Sequence, residues 1–89
     1  MIDFTKYNLN EDDIDFLIEI EECCINGQNE IILEYQGKSF VLQPSGKEIT
    51  VYAYGETLGE YKNFDDFILH HKIDGKPFVE LIKDLDFGD

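Results

Sequence analysis

The chain has 89 residues, with twenty Asp and Glu against seven Lys, no Arg, and a net charge of −13. That length sets one domain, residues 1–89, and a 43% apolar share rich in Phe and Tyr is enough to fill a core, which argues against a disordered chain. The charge argues against direct binding to nucleic acid, whose phosphates need cations, and against an anionic membrane surface.

The N-terminus reads Met1-Ile2-Asp3-Phe4-Thr5, without the basic and apolar regions of an export signal. Ile2 and Phe4 alternate with polar residues, which suggests a short strand over residues 2–5. Cys23 and Cys24 are adjacent and do not suit a bridge to each other, so free thiols in a reducing compartment are expected. The expected location is cytoplasmic.

Asn10 is a good helix N-cap, and Glu11, Asp12 and Asp13 fill the first turn, where carboxylates suit the helix dipole. Leu9 and Ile14 stand at the positions of a hydrophobic staple. The helix is expected to run to about Ile25, stopped by Asn26-Gly27. Its apolar stripe is read as Ile14, Leu17, Ile18 and Ile25, widened by Phe16, Ile20 and the cysteines. Glu21 projects into that stripe, where burial would raise its pKa.

Three strands are expected next. Residues 30–35, 39–43 and 48–54 alternate, with Ile31, Leu33, Phe40, Leu42, Ile49 and Val51 on an inner face. Gln36-Gly37-Lys38 and Gln43 to Lys47 are the turns between them, and connections this short make an antiparallel meander. The opposite face carries Ile32, Val41, Tyr52 and Tyr54 among polar residues.

Two short helices are expected to end the chain. Asn63 caps the first, with Phe64, Phe67 and Ile68 as its stripe. Asp74-Gly75 turns the chain, Pro77 suits a first helical position, and Phe78, Leu81, Ile82 and Leu85 repeat at helical spacing. The fold class is therefore α+β: an N-terminal helix packed on a three-stranded antiparallel β-meander, followed by two short C-terminal helices. The order helix, three strands, helix resembles that of double-stranded-RNA-binding domains. Those domains need lysines against phosphate, whereas Asp65, Asp66, Glu80, Asp84 and Asp86 stand on the C-terminal helices here, so their function does not carry over.

Cys23-Cys24 and His70-His71 supply residue types that bind zinc. Zinc ligands are usually paired two to four residues apart, and adjacent helical residues point about 100° apart, so no metal and no cofactor are expected. The tail from Asp84 to Asp89 begins like a calcium loop, but it holds only half of the twelve positions and places Gly88 where a ligand belongs. No nucleophile and base can be assembled with any specificity, so no enzymatic activity is expected.

Charge distribution is the remaining signal. Residues 1–26 hold eight acids and one lysine, residues 27–62 five and three, and residues 63–89 seven and three. The helices thus carry the excess, and Asp84 and Asp86 fall at an expected helix C-terminus, where the dipole disfavours acids. The functional expectation is a non-enzymatic small acidic binding protein that occupies a basic, nucleic-acid-binding surface of another protein. In size and charge the chain is similar to small acidic inhibitors and immunity-type proteins; no family motif is present. Candidate contact residues are Asp12, Asp15, Glu19 and Glu22 on helix one, Asp65, Asp66, Asp84 and Asp86 near the C-terminus, and Tyr52 and Tyr54 on the sheet. One alternative is a structural or regulatory accessory domain that docks through its sheet face or self-associates. The other is a small metal-binding or enzymatic domain using the Cys and His pairs.

Overall fold

A computed structural model describes Tyr7 and residues 9–88; the strand expected over residues 2–5 lies outside the described residues. Helix α1 spans Glu11–Glu21 and begins where the sequence places it. Asn10 Oδ1 accepts the Asp13 N–H at 2.9 Å, and Asp13 Oδ2 accepts the Asn10 N–H at 3.1 Å, a reciprocal cap. The helix ends earlier than expected. Residues Glu22–Asn26 form one wide π-helical turn, closed by the Gly27 N–H on the Glu22 carbonyl at 2.8 Å.

The buried row of this segment is Asp13, Leu17, Ile20 and Cys24. The expected stripe was rotated: Ile18 is 45% exposed, and Ile14 and Ile25 are only half-buried. Asp13 accounts for the difference. It takes the inward position as a cap, and its Oδ2 also accepts the Lys83 ammonium at 2.6 Å. A charged residue at an inner position is invisible to a search for apolar periodicity.

Among the described residues the sheet has five antiparallel strands: β1 Ile31–Tyr35, β2 Lys38–Ser45, β3 Glu48–Ala53, β4 Glu56–Tyr61 and, later in the chain, β7 Leu85–Phe87. Their order across the sheet is β4-β3-β2-β1-β7. The meander of β1 to β3 stands as expected, and its inner face buries Leu33, Phe40, Leu42, Ile49 and Val51, with Ile31 half-buried. The second turn is tighter than expected, because β2 runs through Pro44 to Ser45. Pro44 is tolerated there because β2 overhangs β1: the last β2 residue paired with β1 is Leu42, opposite Ile31, so no ladder donor is lost.

Strand β4 extends the expected three strands. Glu56-Thr-Leu-Gly-Glu-Tyr61 lacks clean alternation because it contains a bulge: Gly59 faces Val51 and Thr57 faces Tyr52, leaving Leu58 without a partner. The other correction is at the C-terminus. Helix α2, Phe64–His70, forms as expected over buried Phe64, Phe67 and Ile68. The turn expected at Asp74-Gly75 joins two strands of two residues each, β5 Lys72–Ile73 and β6 Lys76–Pro77, and the second expected helix is instead a 3-10 helix, Phe78–Asp84, followed by strand β7. Phe78, Val79, Leu81 and Ile82 are buried by the 3-10 helix, and Leu85 and Phe87 then face Tyr35 and Leu33 across the sheet. Leu85 satisfies both a helical and a strand spacing, which is why the boundary misled the sequence reading.

All helices lie against one face of the sheet, around a core that joins Leu17, Leu33, Phe67 and Phe78. Phe67 and Phe78 pack with their rings tilted and their centroids 4.5 Å apart. No helix among the described residues is long and apolar enough to cross a membrane.

Candidate functional site

Two surfaces concentrate the unusual residues. The first is the outer side of α1. Glu11, Asp12, Asp15, Glu19 and Glu22 are all exposed on a segment with no lysine, and Ile18 stands among them, nearly half exposed. Glu21 is half-buried, and its carboxyl is pushed up by burial and then by the charges of Asp65 and Glu22. Asp65, at the start of α2, thus extends the acidic surface beyond α1.

The remaining predicted acids are dispersed. Asp66 is engaged in its own helix: Oδ2 accepts the Lys62 N–H at 2.9 Å and Oδ1 accepts His70 Nδ1 at 2.8 Å. The backbone bond first, and then His70, hold its carboxyl below the usual range. Asp84 ends the 3-10 helix, whereas Asp86 lies in β7, so the expected placement of both at one helix C-terminus is corrected. Asp86 stands directly opposite Glu34 on the open face of the sheet. Like charges so placed repel, and no cation is paired with either among the described residues.

The cysteines and histidines are not brought together. Cys23 is exposed, whereas Cys24 is buried and its thiol is pushed up to about 11 by burial and then by Cys23. Among the described residues no group of three or more His, Cys, Asp or Glu side chains is arranged to hold a metal ion. His70 is exposed on Asp66, and His71 is buried at the C-terminus of α2.

His71 belongs to the second surface, which the sequence did not reveal. Its ring stacks on Phe67 at 5.5 Å, and its Nδ1 lies 2.7 Å from the Tyr61 hydroxyl. Its Nε2 is buried with no hydrogen-bond partner among the described residues. Burial holds the imidazole pKa below its usual value, so the ring is neutral near pH 7. The ring forms part of the wall of a half-open recess of about 220 Å3, shared with Tyr35, Lys38, Ser39, Phe40, Ala53, Leu58 and Ile73. These residues come from the ends of the β1–β2, β3–β4 and β5–β6 hairpins.

Two local features shape the recess. The bulge in β4 brings Leu58, 49% exposed, beside Ala53 on this side of the sheet. Tyr54 also lines it, from the two-residue turn Tyr54-Gly55, and is 80% exposed. Tyr54 and Tyr52 therefore do not share one strand face: β3 ends at Ala53, and Tyr52 stays on the open face, in register with Val41, itself opposite Ile32. The φ of Tyr54 is +51°, a left-handed value that favours Gly, Asn or Asp. Gln36 and Asp74 stand at the matching positions of the other two hairpins, with φ of +49° and +54°.

Comparison of the chain with protein-family models, with curated proteins and with solved structures gave no match.

Proposed function

We propose that the chain is a non-enzymatic binding protein of the inhibitor or immunity type, whose acidic α1 surface occupies a basic surface of another protein. The reading includes a cytoplasmic location and no direct contact with nucleic acid or membrane. One observation carries it: five exposed carboxylates of α1 and its π-helical turn, a segment with no lysine, lie beside an isoleucine that the fold leaves half exposed. An apolar contact bordered by like charges suits a partner that presents a greasy notch within a basic field, because the charges steer the encounter and the apolar contact holds it. A basic surface that meets nucleic acid has that character.

The test begins with capture of a partner on immobilised protein at low and high salt. Asp12, Asp15, Glu19 and Glu22 are then changed together to Asn or Gln. Association is expected to slow and its salt dependence to flatten, since attraction between exposed charges is screened beyond about 8 Å at physiological ionic strength. Ile18→Ala is expected to speed dissociation with little change in association. Equal association rates for the charge variant and the original at every salt concentration would remove α1 from the contact.

A second reading, an accessory domain that docks through its sheet, is favoured by the row Ile32–Val41–Tyr52 across three neighbouring strands of the open face. A partner retained at high salt and lost on Tyr52→Lys would support that surface instead.

A further inference from the structure

We propose that the β5–β6 hairpin is an acid-released flap: the neutral His71 ring latches it to the core, and protonation of that ring frees the hairpin while the main sheet stays folded.

The hairpin is held at its ends and by little between them. His71 and Phe78 flank it and are buried, whereas Lys72, Asp74, Gly75 and Lys76 are exposed and Ile73 and Pro77 are half-buried. Its two short strands form a sheet apart from the main one. The Phe78 N–H donates to the His71 carbonyl at 2.8 Å, which ties the two ends together, and the His71 N–H donates to the Phe67 carbonyl at 2.9 Å, which ties them to α2. A segment that buries so little can open alone, at less cost than unfolding the domain.

The latch itself is an imidazole in a place suited to its neutral form. The ring is 3% exposed and packs against Phe67 and Tyr61, each with centroids 5.5 Å away, and Phe40 at 6.5 Å. The surrounding elements supply no countercharge. From β4 comes the Tyr61 hydroxyl, 2.7 Å from Nδ1, and burial raises the pKa of that phenol, so it stays neutral. The recess wall beside the ring adds Tyr35 from β1, Lys38 from β2 and Tyr54 from the turn after β3, and the single ion among these is a cation. On α2, Asp66 is engaged by His70 and the Lys62 N–H, and Asp65 is exposed. Glu80, Lys83 and Asp84 of the 3-10 helix are exposed, as are the charged residues of the hairpin. No carboxylate among the described residues is paired with the His71 ring.

A protonated imidazole has two N–H donors and a charge to solvate. The face of Phe67 attracts a cation, but by less than the hydration that burial removes. Swinging outward with the hairpin restores that hydration. Burial holds the ring's pKa below the ordinary 6.5, so between those values the opened form takes up a proton that the closed form does not. Opening therefore becomes easier as pH falls, and it uncovers the aromatic faces of Phe67 and Phe40 that the ring now covers.

Hydrogen exchange of the Phe78 amide, followed by NMR on the whole chain and corrected for the intrinsic pH effect on exchange, is the test. Its opening is expected to grow severalfold between pH 7 and pH 5, by at most about tenfold for each pH unit. At pH 5 that opening should be indifferent to low urea, because little surface is exposed, whereas amides of the β2–β3 ladder open with the whole domain and respond steeply. The pH dependence should vanish in His71→Phe and persist in His70→Gln. A Phe78 amide that follows urea as steeply as the sheet amides would show that the hairpin opens only with the domain and would overturn the proposal. Equal protection at pH 7 and pH 5, or a pH dependence lost in His70→Gln, would do the same. Should His71→Phe fail to fold, the urea and pH series on the original chain still decide.

Discussion

The Tyr61 hydroxyl reaches His71 Nδ1 at 2.7 Å because residue 59 has no side chain: a Cβ there would lie 2.5 Å from the same hydroxyl. Three residues thus hold one geometry. Tyr61→Phe leaves Nδ1 buried without a partner and is expected to cost about 1–3 kcal/mol in urea unfolding. Gly59→Ala should act in the same direction, by displacing the Tyr61 ring, and should move the Nδ1 resonance of His71 as Tyr61→Phe does. Unchanged His71 resonances in the Gly59→Ala variant would show that the ring accommodates the methyl group.

The burial of His71 gives stability a pH dependence of known sign. Its folded pKa lies below the ordinary 6.5, so between those two values the unfolded chain binds more protons than the folded one. Stability is present above 6.5 and is lost as pH falls through the window down to the folded value. Urea midpoints measured from neutral pH to about 5 should decline, and the decline should vanish in His71→Phe. A flat profile in the original protein would contradict the burial of this ring.

Tyr54 should cost its turn stability. Tyr54→Asn or Tyr54→Gly relieves a left-handed backbone that costs an ordinary residue about 1–2 kcal/mol, so either change should raise the unfolding midpoint. A lower midpoint for Tyr54→Asn would mean that the Tyr54 ring packs more firmly than its 80% exposure indicates.

Glu34 and Asp86 face each other across β1 and β7. Replacing Asp86 with Lys turns a repulsive cross-strand pair into an attractive one and should stabilise the sheet by roughly 0.2–1 kcal/mol, more at low salt than at high. Thermal unfolding at two salt concentrations would reveal this, and an unchanged Tm at low salt would show the two carboxylates to be too well solvated to interact.

Gln28 fastens the chain after α1 to the β2–β3 turn. Its side-chain amide donates to the Gly46 carbonyl at 2.7 Å and accepts the Gly46 N–H at 3.0 Å, and its own φ is +52°. Gln28→Ala loses the clamp and keeps the left-handed strain, whereas Gln28→Gly loses only the clamp. The Ala variant should therefore be less stable than the Gly variant by about 1 kcal/mol. Equal stability of the two would show that the backbone relaxes once the clamp is gone.

The parts of the fold that were legible in the sequence are those where one signal acts alone. Alternation from Ile31 to Ala53 placed three strands, and Asn10 and Asn63 placed two helix starts. The rest was hidden where two demands met in one residue. Asp13 is both cap and inner residue, which rotated the inferred face of α1. Leu58 interrupts the alternation of β4, and Leu85 fits a helix as well as a strand. The acidic residues of α1 could be read from composition and helical projection. The recess could not: Phe40, Ala53, Leu58 and His71 are spread over 32 positions of the chain and meet only through the bulge and the hairpin ends. The positive φ of Tyr54 had a weak signal in the following Gly55, which is the second residue of such turns.

The unpaired Leu58 also bears on how the sheet ends. Among the described residues strand β4 is an edge, with backbone groups available to any extended chain that drifts alongside. An interruption in its ladder, with Glu56 and Glu60 on either side, makes it a poor template for a sixth strand. The border of the recess can therefore stay open to solvent without inviting fibre growth along the sheet. One misfit residue both gives the recess part of its wall and guards the rim against adhesion between copies of the chain.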